Sequence, residues 1–252
     1  MSAEELLHFG AVYLNEKRVK ANAKISEGDL IKIHLQPKRY KESDLNRPPK
    51  VHFENSDLLV INKPAPLPTH PTADNLYENL LEMMKAKLGQ PLFVTSRLDV
   101  ETQGLIIFAK TPQAQSKMNR LFKAKRVRKW YQCVTLNKPP SGQLTHFQDP
   151  LSAPKRVFKL KQESEQDKVC ELIIQSVEPI DDQFLSTIEL ITGRTHQIRG
   201  QFSLMGCPLV GDKIYGEESL PAQHLGLVCT RLQWKWADKL LDLSISDPKI
   251  GE

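Results

Sequence analysis

Long apolar runs are missing from this sequence of 252 residues, and so is an apolar segment near its start. Apolar runs such as Leu105–Ala109 have the length of β-strands, far below the ~18 residues that a membrane-spanning helix needs. The first residues are acidic and do not resemble a secretory signal. We therefore expect a cytoplasmic protein that has no contact with a membrane.

Paired cysteines are also missing. The four cysteines, Cys133, Cys170, Cys207 and Cys229, are widely spaced and form no C-x-x-C pair. This spacing argues against a zinc site or a disulfide framework and favours a reducing compartment. No metal is predicted.

An excess of positive charge is concentrated in one short segment. The formal net charge is +5, and seven basic residues without an acidic one lie between Lys117 and Lys129. Outside this segment the charges nearly balance, with 28 basic and 30 acidic residues. Such a block can meet a polyanion such as RNA or DNA, or it can be a solvated helix face. Charge alone leaves both interpretations open.

The order of predicted elements indicates an α+β protein rather than a doubly wound one, because strands do not alternate strictly with helices. We expect a mixed, largely antiparallel sheet flanked by helices, with a small N-terminal α/β appendage. Residues 1–37 form the appendage, residues 38–50 are rich in proline and charge and suit a linker, and residues 51–252 form the main domain. Predicted strands of the main domain are Leu58–Asn62, Leu105–Lys110, Tyr131–Thr135, Glu171–Ser176, Phe184–Leu190 and Leu225–Thr230, and predicted helices are Leu76–Leu88 and Thr111–Lys125.

A charged pair leads into one of the buried strands. In the segment Ser96–Gly104, Arg97 and Asp99 lie two residues apart, so an extended backbone points both side chains to one face. A carboxylate at the edge of the core can be partly desolvated and reactive. A surface ion pair or a cap would have the same spacing.

Two further segments place polar residues at the ends of predicted strands. In Leu190–Arg199, Gly193 permits an unusual backbone angle, a helix is expected from Thr195 onward, and Arg194 and Arg199 stand near the junction. His196 is expected to be a structural residue. After another strand, Asn62-Lys63-Pro64 opens a proline-stiffened loop that carries His70 and either lines a site or serves as a connector.

Together these segments resemble the RluA-like family of RNA pseudouridine synthases. The family's hallmark is His-Arg-Leu-Asp, two variable residues, Thr-Ser-Gly and an apolar strand ending in Ala-Lys, to which Ser96–Lys110 is similar. Lys129–Tyr131 resembles a Lys-x-Tyr element, and Thr192–Arg199 matches Thr-Gly-Arg-Thr-His-Gln-Ile-Arg residue for residue. Gly206–Gly216 is similar to the closing Gly-Asp and Tyr-Gly elements. The resemblance covers about residues 51–230.

The resemblance implies an isomerase that converts specific uridines to pseudouridine in structured RNA, with ribosomal RNA slightly favoured over transfer RNA. Asp99 is implied as the catalytic carboxylate, Arg199 as its ion-pair partner and Tyr131 as the residue that stacks on the uracil and helps to remove the C5 proton. The implied substrate-binding and RNA-binding residues are Arg97, which fills the space left by a flipped nucleotide, and Lys63, Lys129, Arg194, Arg126 and Arg128. The reaction requires no cofactor, and we expect a monomer.

Three positions depart from the family pattern: Ser96 replaces a histidine, Gln103 a serine and Gly200 an aliphatic residue. The appendage is similar to a shortened alpha-L RNA-binding module. Two rival interpretations remain: a protein that binds RNA without chemistry, and a glycoside hydrolase. The second needs a pair of carboxylates, for which Glu101 is the nearest candidate.

Overall fold

The predicted α+β architecture is confirmed by the computed structural model, which describes residues 1–153, 155–216, 224–246 and 250. The predicted end of the main domain, at residue 252, lies outside these residues. The N-terminal unit consists of α1 (Ala3–His8) and an antiparallel sheet of β1 (Val12–Leu14), β2 (Lys17–Val19) and β3 (Ile31–Ile33) in the order β2-β1-β3.

The main unit is built on one large sheet, which has eleven strands within the described part of the chain. Its central path runs β10-β9-β11-β12-β8-β13-β7-β5-β4, while β14 pairs with β13 and β6 with β7. All of these pairings are antiparallel except that between β7 and β13. The strands are β4 (Lys50–Glu54), β5 (Leu58–Lys63), β6 (Phe93–Val94), β7 (Gln103–Ala109), β8 (Arg128–Thr135), β9 (Gly142–Gln148), β10 (Phe158–Lys159), β11 (Lys168–Ile180), β12 (Gln183–Leu190), β13 (Leu227–Trp236) and β14 (Lys239–Ser244), and the helices are α2 (Leu80–Leu88), α3 (Pro112–Lys123) and α4 (Gln197–Leu204).

The sheet is covered on both faces where β5 and β7 lie. Alternate residues of a strand point to opposite faces, and β5 sends Leu58 and Val60 into the cluster that contains Met118 of α3. Leu59 and Ile61 enter a second cluster with Met84 of α2. Burial on both faces explains why these two strands read as continuous apolar runs.

Capping residues fix where the helices begin. The Thr111 hydroxyl accepts a hydrogen bond from the Ala114 amide, and Pro112 is the first residue of α3, as predicted. The helix predicted from Leu76 begins instead at Leu80, because the Asn79 side chain caps it by accepting from the Glu82 amide. Apolar periodicity did not reveal this later start.

The parallel contact between β7 and β13 requires a glycine. Gly104 pairs with Cys229 and has a φ of +108°, and a Cβ atom there would lie 2.2 Å from the Cys229 carbonyl oxygen. In turn, Cys229 pairs with Tyr131 on β8. The close approach thus places the start of β7, which follows the Asp99 loop, one strand away from Tyr131 on β8.

The N-terminal unit and residues 38–50 both contact the loop that precedes α2. Tyr13 donates a hydrogen bond to the Ala73 carbonyl, and the Arg39 guanidinium donates to both carboxylate oxygens of Glu78. Lys50, predicted as the last linker residue, is the first residue of β4. Strands β9 and β14 were not predicted, because their polar and half-exposed residues give only a weak strand pattern.

Candidate active site

An open cleft of about 1060 Å³ collects the three predicted catalytic residues. Asp99 lies in the loop before β7, Tyr131 on β8 and Arg199 on α4, and all three side chains line the cleft. Arg97 and Arg194 line it as well. Residues that are far apart in the sequence therefore share one cavity.

The backbone around Asp99 is held from two sides. The Thr102 amide donates to the Asp99 carbonyl at 3.1 Å and closes a tight turn. The Thr69 hydroxyl donates to the Leu98 carbonyl and accepts from the Leu98 amide, at 3.0 and 3.1 Å. The loop after β5 thereby fixes the position from which the Asp99 carboxylate projects.

Lys63 supports the same loop from inside the protein. Its ammonium donates to the carbonyls of Pro64, Leu67 and Val100 at 3.0, 2.7 and 3.0 Å, and the residue is fully buried. Burial lowers the pKa of Lys63 to about 7, although the charge of Asp99 acts in the opposite direction. A phosphate cannot reach a buried amine, so the prediction that Lys63 contacts RNA is wrong. Its role is to link the loop after β5 to the Asp99 loop.

Arg199 pairs more closely with Asp212 than with Asp99. Its Nε and Nη2 atoms each donate to an oxygen of Asp212 at 2.8 Å, whereas Nη1 lies 3.4 Å from Asp99 Oδ2. Burial alone would raise the pKa of Asp212, but the hydrogen bonds and charge of Arg199 lower it below its ordinary range. Arg199 thus contacts both carboxylates, and the predicted pairing with Asp99 is the longer of the two contacts.

Asp212 was not among the predicted site residues. Its side chain has no exposed surface, and its Oδ1 atom also accepts from the amides of Ile214 and Tyr215. The sequence signal for Asp212 was the Gly211-Asp212 pair in Gly206–Gly216, the segment that is similar to the closing elements of the family. Nothing in the spacing of that segment indicates that its carboxylate reaches Arg199.

Tyr131 is buried except for a small part of its surface, and it faces the cleft. Burial and the neighbouring Cys229 thiol raise the pKa of Tyr131 well above its ordinary value. The phenol is therefore protonated at neutral pH. It can offer a ring face and a hydroxyl to a bound base, but not a phenolate.

His196, expected to be structural, lies in the wall of the cleft. Its Nε2 atom is 3.9 Å from Asp99 Oδ2, and its Nδ1 atom is 3.2 Å from the Tyr215 hydroxyl. The residue adopts a left-handed backbone conformation, with a φ of +58°, at the start of α4. For a residue other than glycine, this conformation is strained and is often found at functional sites.

The basic segment between Lys117 and Lys129 does not form one surface. It spans the end of α3, a left-handed residue at Lys125 and the start of β8. Of its basic side chains, Lys123, Lys125 and Lys129 line the cleft. Arg126 and Arg128 are exposed and do not belong to the cleft lining, and Arg128 pairs with Glu189 at 2.7 Å.

Lys129 occupies space that Gly193 leaves open, since a Cβ atom at Gly193 would lie 3.0 Å from the Lys129 Nζ atom. Burial lowers the pKa of Lys129. Arg194 is exposed on the same loop, and Arg97 is exposed with its Nη1 atom 3.3 Å from His70 Nε2. These three basic residues therefore line the cleft from different elements.

Two of the departures from the family pattern have a structural reason. A Cβ atom at Gly200 would lie 2.0 Å from the Phe158 ring, so the aromatic ring occupies the space of the expected aliphatic side chain. Gln103 is buried and its Oε1 atom accepts from Asn46 at 3.0 Å, which links residues 38–50 to β7. The third residue, Ser96, lines the cleft.

The described residues hold neither a cluster of metal ligands nor a membrane-spanning helix. No group of three or more histidine, cysteine, aspartate or glutamate side chains is arranged to hold a metal ion in the ranges that the structure describes. Among the helices of those ranges, none has the length and apolar character needed to cross a membrane.

The fold and the cleft define a family of RNA-modifying isomerases. A family model described as RNA pseudouridylate synthase matches residues 57–204, more than half of the chain, so the chain belongs to this family. The resemblance to RluA-like enzymes is thereby confirmed.

Similar proteins of known sequence and structure agree with this assignment. The mitochondrial tRNA pseudouridine(32) synthase of Saccharomyces cerevisiae is 28% identical over 221 residues, which are 86% of this chain and 47% of the yeast protein. The chain thus spans about half the length of that relative. Ribosomal large subunit pseudouridine synthase C of Rickettsia bellii is 28% identical over 237 residues, covering 86% of this chain and 78% of the relative. The structure of human RNA pseudouridylate synthase domain containing 1 shares the fold, with a TM-score of 0.65 and 22% identity over 85% of this chain and 87% of the human chain.

Proposed function

We propose that this protein isomerises uridine to pseudouridine in structured RNA, with Asp99 as the catalytic carboxylate. The observation that carries the proposal is the setting of this side chain, which is 26% exposed in the cleft and has only its Oδ2 atom engaged by Arg199. No hydrogen bond to Oδ1 is found among the described residues. One carboxylate oxygen is thus free to meet a substrate.

A carboxylate suits the chemistry of this isomerisation. The N1–C1′ bond breaks, the base turns and C5 bonds to C1′. Finally C5 loses its proton and N1 gains one. Asp99 either attacks carbon or assists elimination at the sugar. Nothing is oxidised or reduced overall, so this chemistry is balanced without an added reactant.

Tyr131 supports the base rather than ionising beside it. Its ring provides a surface on which a uracil stacks. Because its hydroxyl stays protonated at neutral pH, it hydrogen-bonds the turning base and helps to remove the C5 proton as a neutral phenol, not as a phenolate. This narrows the role that the resemblance implies for Tyr131.

The target nucleotide must leave its helix to reach Asp99, which costs a few kcal/mol and favours uridines in loops and bulges. Arg97 is exposed at the cleft, where its planar guanidinium can stack on the bases left behind. Lys129 and Arg194 contact the nearby phosphates. Arg126 and Arg128 contact more distant phosphates of a longer RNA.

The organisation of the chain fits this activity. Residues 1–37 serve as a shortened alpha-L-type RNA-binding module, residues 38–50 connect it, and residues 51–252 form the catalytic domain. The named relatives act on ribosomal or transfer RNA. We favour ribosomal RNA because of the N-terminal module, and a monomer acting in the cytoplasm.

Release of tritium tests the proposal. RNA labelled at uracil C5 loses its label when pseudouridine forms, so the wild-type protein should release tritium from ribosomal or transfer RNA. Asp99→Asn should abolish release and leave RNA binding intact. Glu101→Gln, which alters the next acidic residue in the chain, is the matched control and should release tritium like the wild type.

The outcomes separate the competing interpretations. If the wild type binds RNA but releases no label from total ribosomal and transfer RNA, the protein is a binding protein without this chemistry. Equal loss of activity in the Asp99 and Glu101 variants would instead favour a mechanism with two carboxylates.

A further inference from the structure

His196 faces Asp99 with one ring nitrogen and Tyr215 with the other. The Nε2 atom lies 3.9 Å from Asp99 Oδ2, the same oxygen that Arg199 Nη1 approaches at 3.4 Å. The imidazole ring also packs edge-on against the Tyr215 ring, with 5.7 Å between the ring centroids. The ring is thus held in place beside the carboxylate.

The hydrogen bond between Tyr215 and His196 Nδ1 links the tautomer of the ring to the direction of that bond. The Tyr215 oxygen accepts a hydrogen bond from the Arg156 amide at 2.9 Å. Its own hydrogen is then free to be donated to His196 Nδ1, 3.2 Å away. When Tyr215 donates in this way, Nδ1 accepts and a neutral imidazole carries its hydrogen on Nε2, the atom that faces Asp99.

The surroundings of His196 favour the neutral ring. Burial lowers the pKa of His196, the charge of Asp99 raises it, and the charge of Arg199 lowers it further. Asp212 and Arg156 also face the ring and act in opposite directions. The net shift is downward, so the ring is uncharged at neutral pH.

We propose that His196 is a positioning residue that directs its Nε2–H group at Oδ2 of Asp99 and so presents Oδ1 to the substrate. The inference rests on the proposed function. Once the Nε2–H group closes on the oxygen that Arg199 already approaches, the torsion of the carboxylate is fixed and the other oxygen points into the cleft.

The length of the contact fits this role. At 3.9 Å the Nε2–H group is too far for a hydrogen bond. Catalytic hydrogen bonds are often long in an empty site and shorten when substrate binds. Because the histidine is neutral, it orients the carboxylate without adding a second positive charge, which would make the carboxylate a poorer nucleophile.

Two amide substitutions separate the proposed role from a structural one. In His196→Gln, the amide NH₂ group reaches the place of Nε2 and keeps a donor toward Asp99. In His196→Asn, the amide reaches only the place of Nδ1, although asparagine tolerates the left-handed backbone better than glutamine does. Single-turnover tritium release should therefore fall only a few-fold in His196→Gln but about 10–100-fold in His196→Asn, with unchanged RNA affinity in both.

The reverse order would overturn the proposal. If His196→Asn is as active as His196→Gln or more active, the residue serves only the backbone turn at the start of α4.

A measurement on the wild-type protein does not depend on activity. The ¹⁵N chemical shifts of His196, assigned by the loss of its signals in His196→Gln, should show the neutral tautomer protonated at Nε2. In Tyr215→Phe this preference should disappear, and tritium release should fall several-fold. If the wild-type ring is protonated at Nδ1, the inference about His196 is wrong, whatever the activity. If the wild type releases no tritium, the proposed function is wrong, but the tautomer measurement remains valid.

Discussion

Asp212 determines the direction in which Arg199 presents its remaining nitrogen. Because the Asp212 carboxylate accepts from both Nε and Nη2 at 2.8 Å, the plane of the guanidinium is fixed and Nη1 is left to approach Asp99. The pair is buried, so solvent does not compete for these hydrogen bonds. Asp212 thereby acts on Asp99 without contacting it.

Loss of the buried carboxylate should be costly. Asp212→Asn leaves Arg199 without its closest counter-charge and should lower the free energy of unfolding by about 3–5 kcal/mol. Asp242→Asn is the matched control, because Asp242 also accepts from two nitrogens of an arginine, Arg231, but at an exposed position. Urea denaturation should show a change below about 1 kcal/mol for the control. Equal effects in the two variants would contradict the importance of burial.

The close approach of β7 and β13 predicts different costs at two glycines with similar backbone angles. Gly104 has a φ of +108° and no room for a Cβ atom, whereas Gly142 has a φ of +101° and nothing within 4 Å of a Cβ atom. Gly142→Ala should cost only the backbone strain, about 1–2 kcal/mol. Gly104→Ala should cost at least twice as much, because the clash is with backbone atoms. Thermal or urea unfolding of both variants checks this, and similar costs would contradict it.

Gly200 and Phe158 should behave as a coupled pair. In the wild type, Gly200→Ala should destabilise the protein by about 1–3 kcal/mol, because the new methyl group meets the Phe158 ring. In a Phe158→Ala background the ring is gone, and the same change should stabilise α4 by up to about 1 kcal/mol through its helix propensity. A double-mutant cycle measures this reversal of sign. Additive effects would show that the two residues do not interact.

The buried amine of Lys63 predicts a stability that rises with pH. Its folded pKa of about 7 lies below the unfolded value of about 10.4, so the unfolded chain binds more protons between these values. From this lysine alone, the free energy of unfolding should increase by roughly 2–3 kcal/mol between pH 6 and pH 9. Lys63→Met should lack this increase, and Lys87→Met, at an exposed position on α2, should keep it. If the stability of Lys63→Met depends on pH as strongly as that of the wild type, the titration of Lys63 is not the cause of the increase.

The cations of the cleft should determine how RNA binding depends on salt. Arg194→Ala removes one exposed cleft cation and should lower the slope of log K against log salt by about one, and weaken binding. Lys117→Ala is the control, because the Lys117 Nζ atom lies over the Trp236 ring, 4.2 Å from its centroid, and does not line the cleft. Titrations at several salt concentrations should leave the slope of the control unchanged. Equal slopes for the wild type, Arg194→Ala and Lys117→Ala would mean that bound RNA does not contact Arg194.

Local signals made part of this structure predictable from the sequence. The Thr111-Pro112 start of α3 depends on groups within one helical turn, and the apolar runs of β5 and β7 show burial directly. The motif around Asp99 identified both the family and the carboxylate in the cleft. These features depend on residue type and short spacing, which the sequence contains.

The tertiary structure alone decided the partners of those residues. Arg199 reaches Asp99 across 100 residues of sequence, but its closer partner is Asp212, and Lys63 is buried under the loop rather than open to RNA. His196 meets Asp99 because Tyr215 and the left-handed turn fix its ring. Which side chains meet depends on how distant strands and loops pack, and neither composition nor periodicity encodes the direction of a buried side chain.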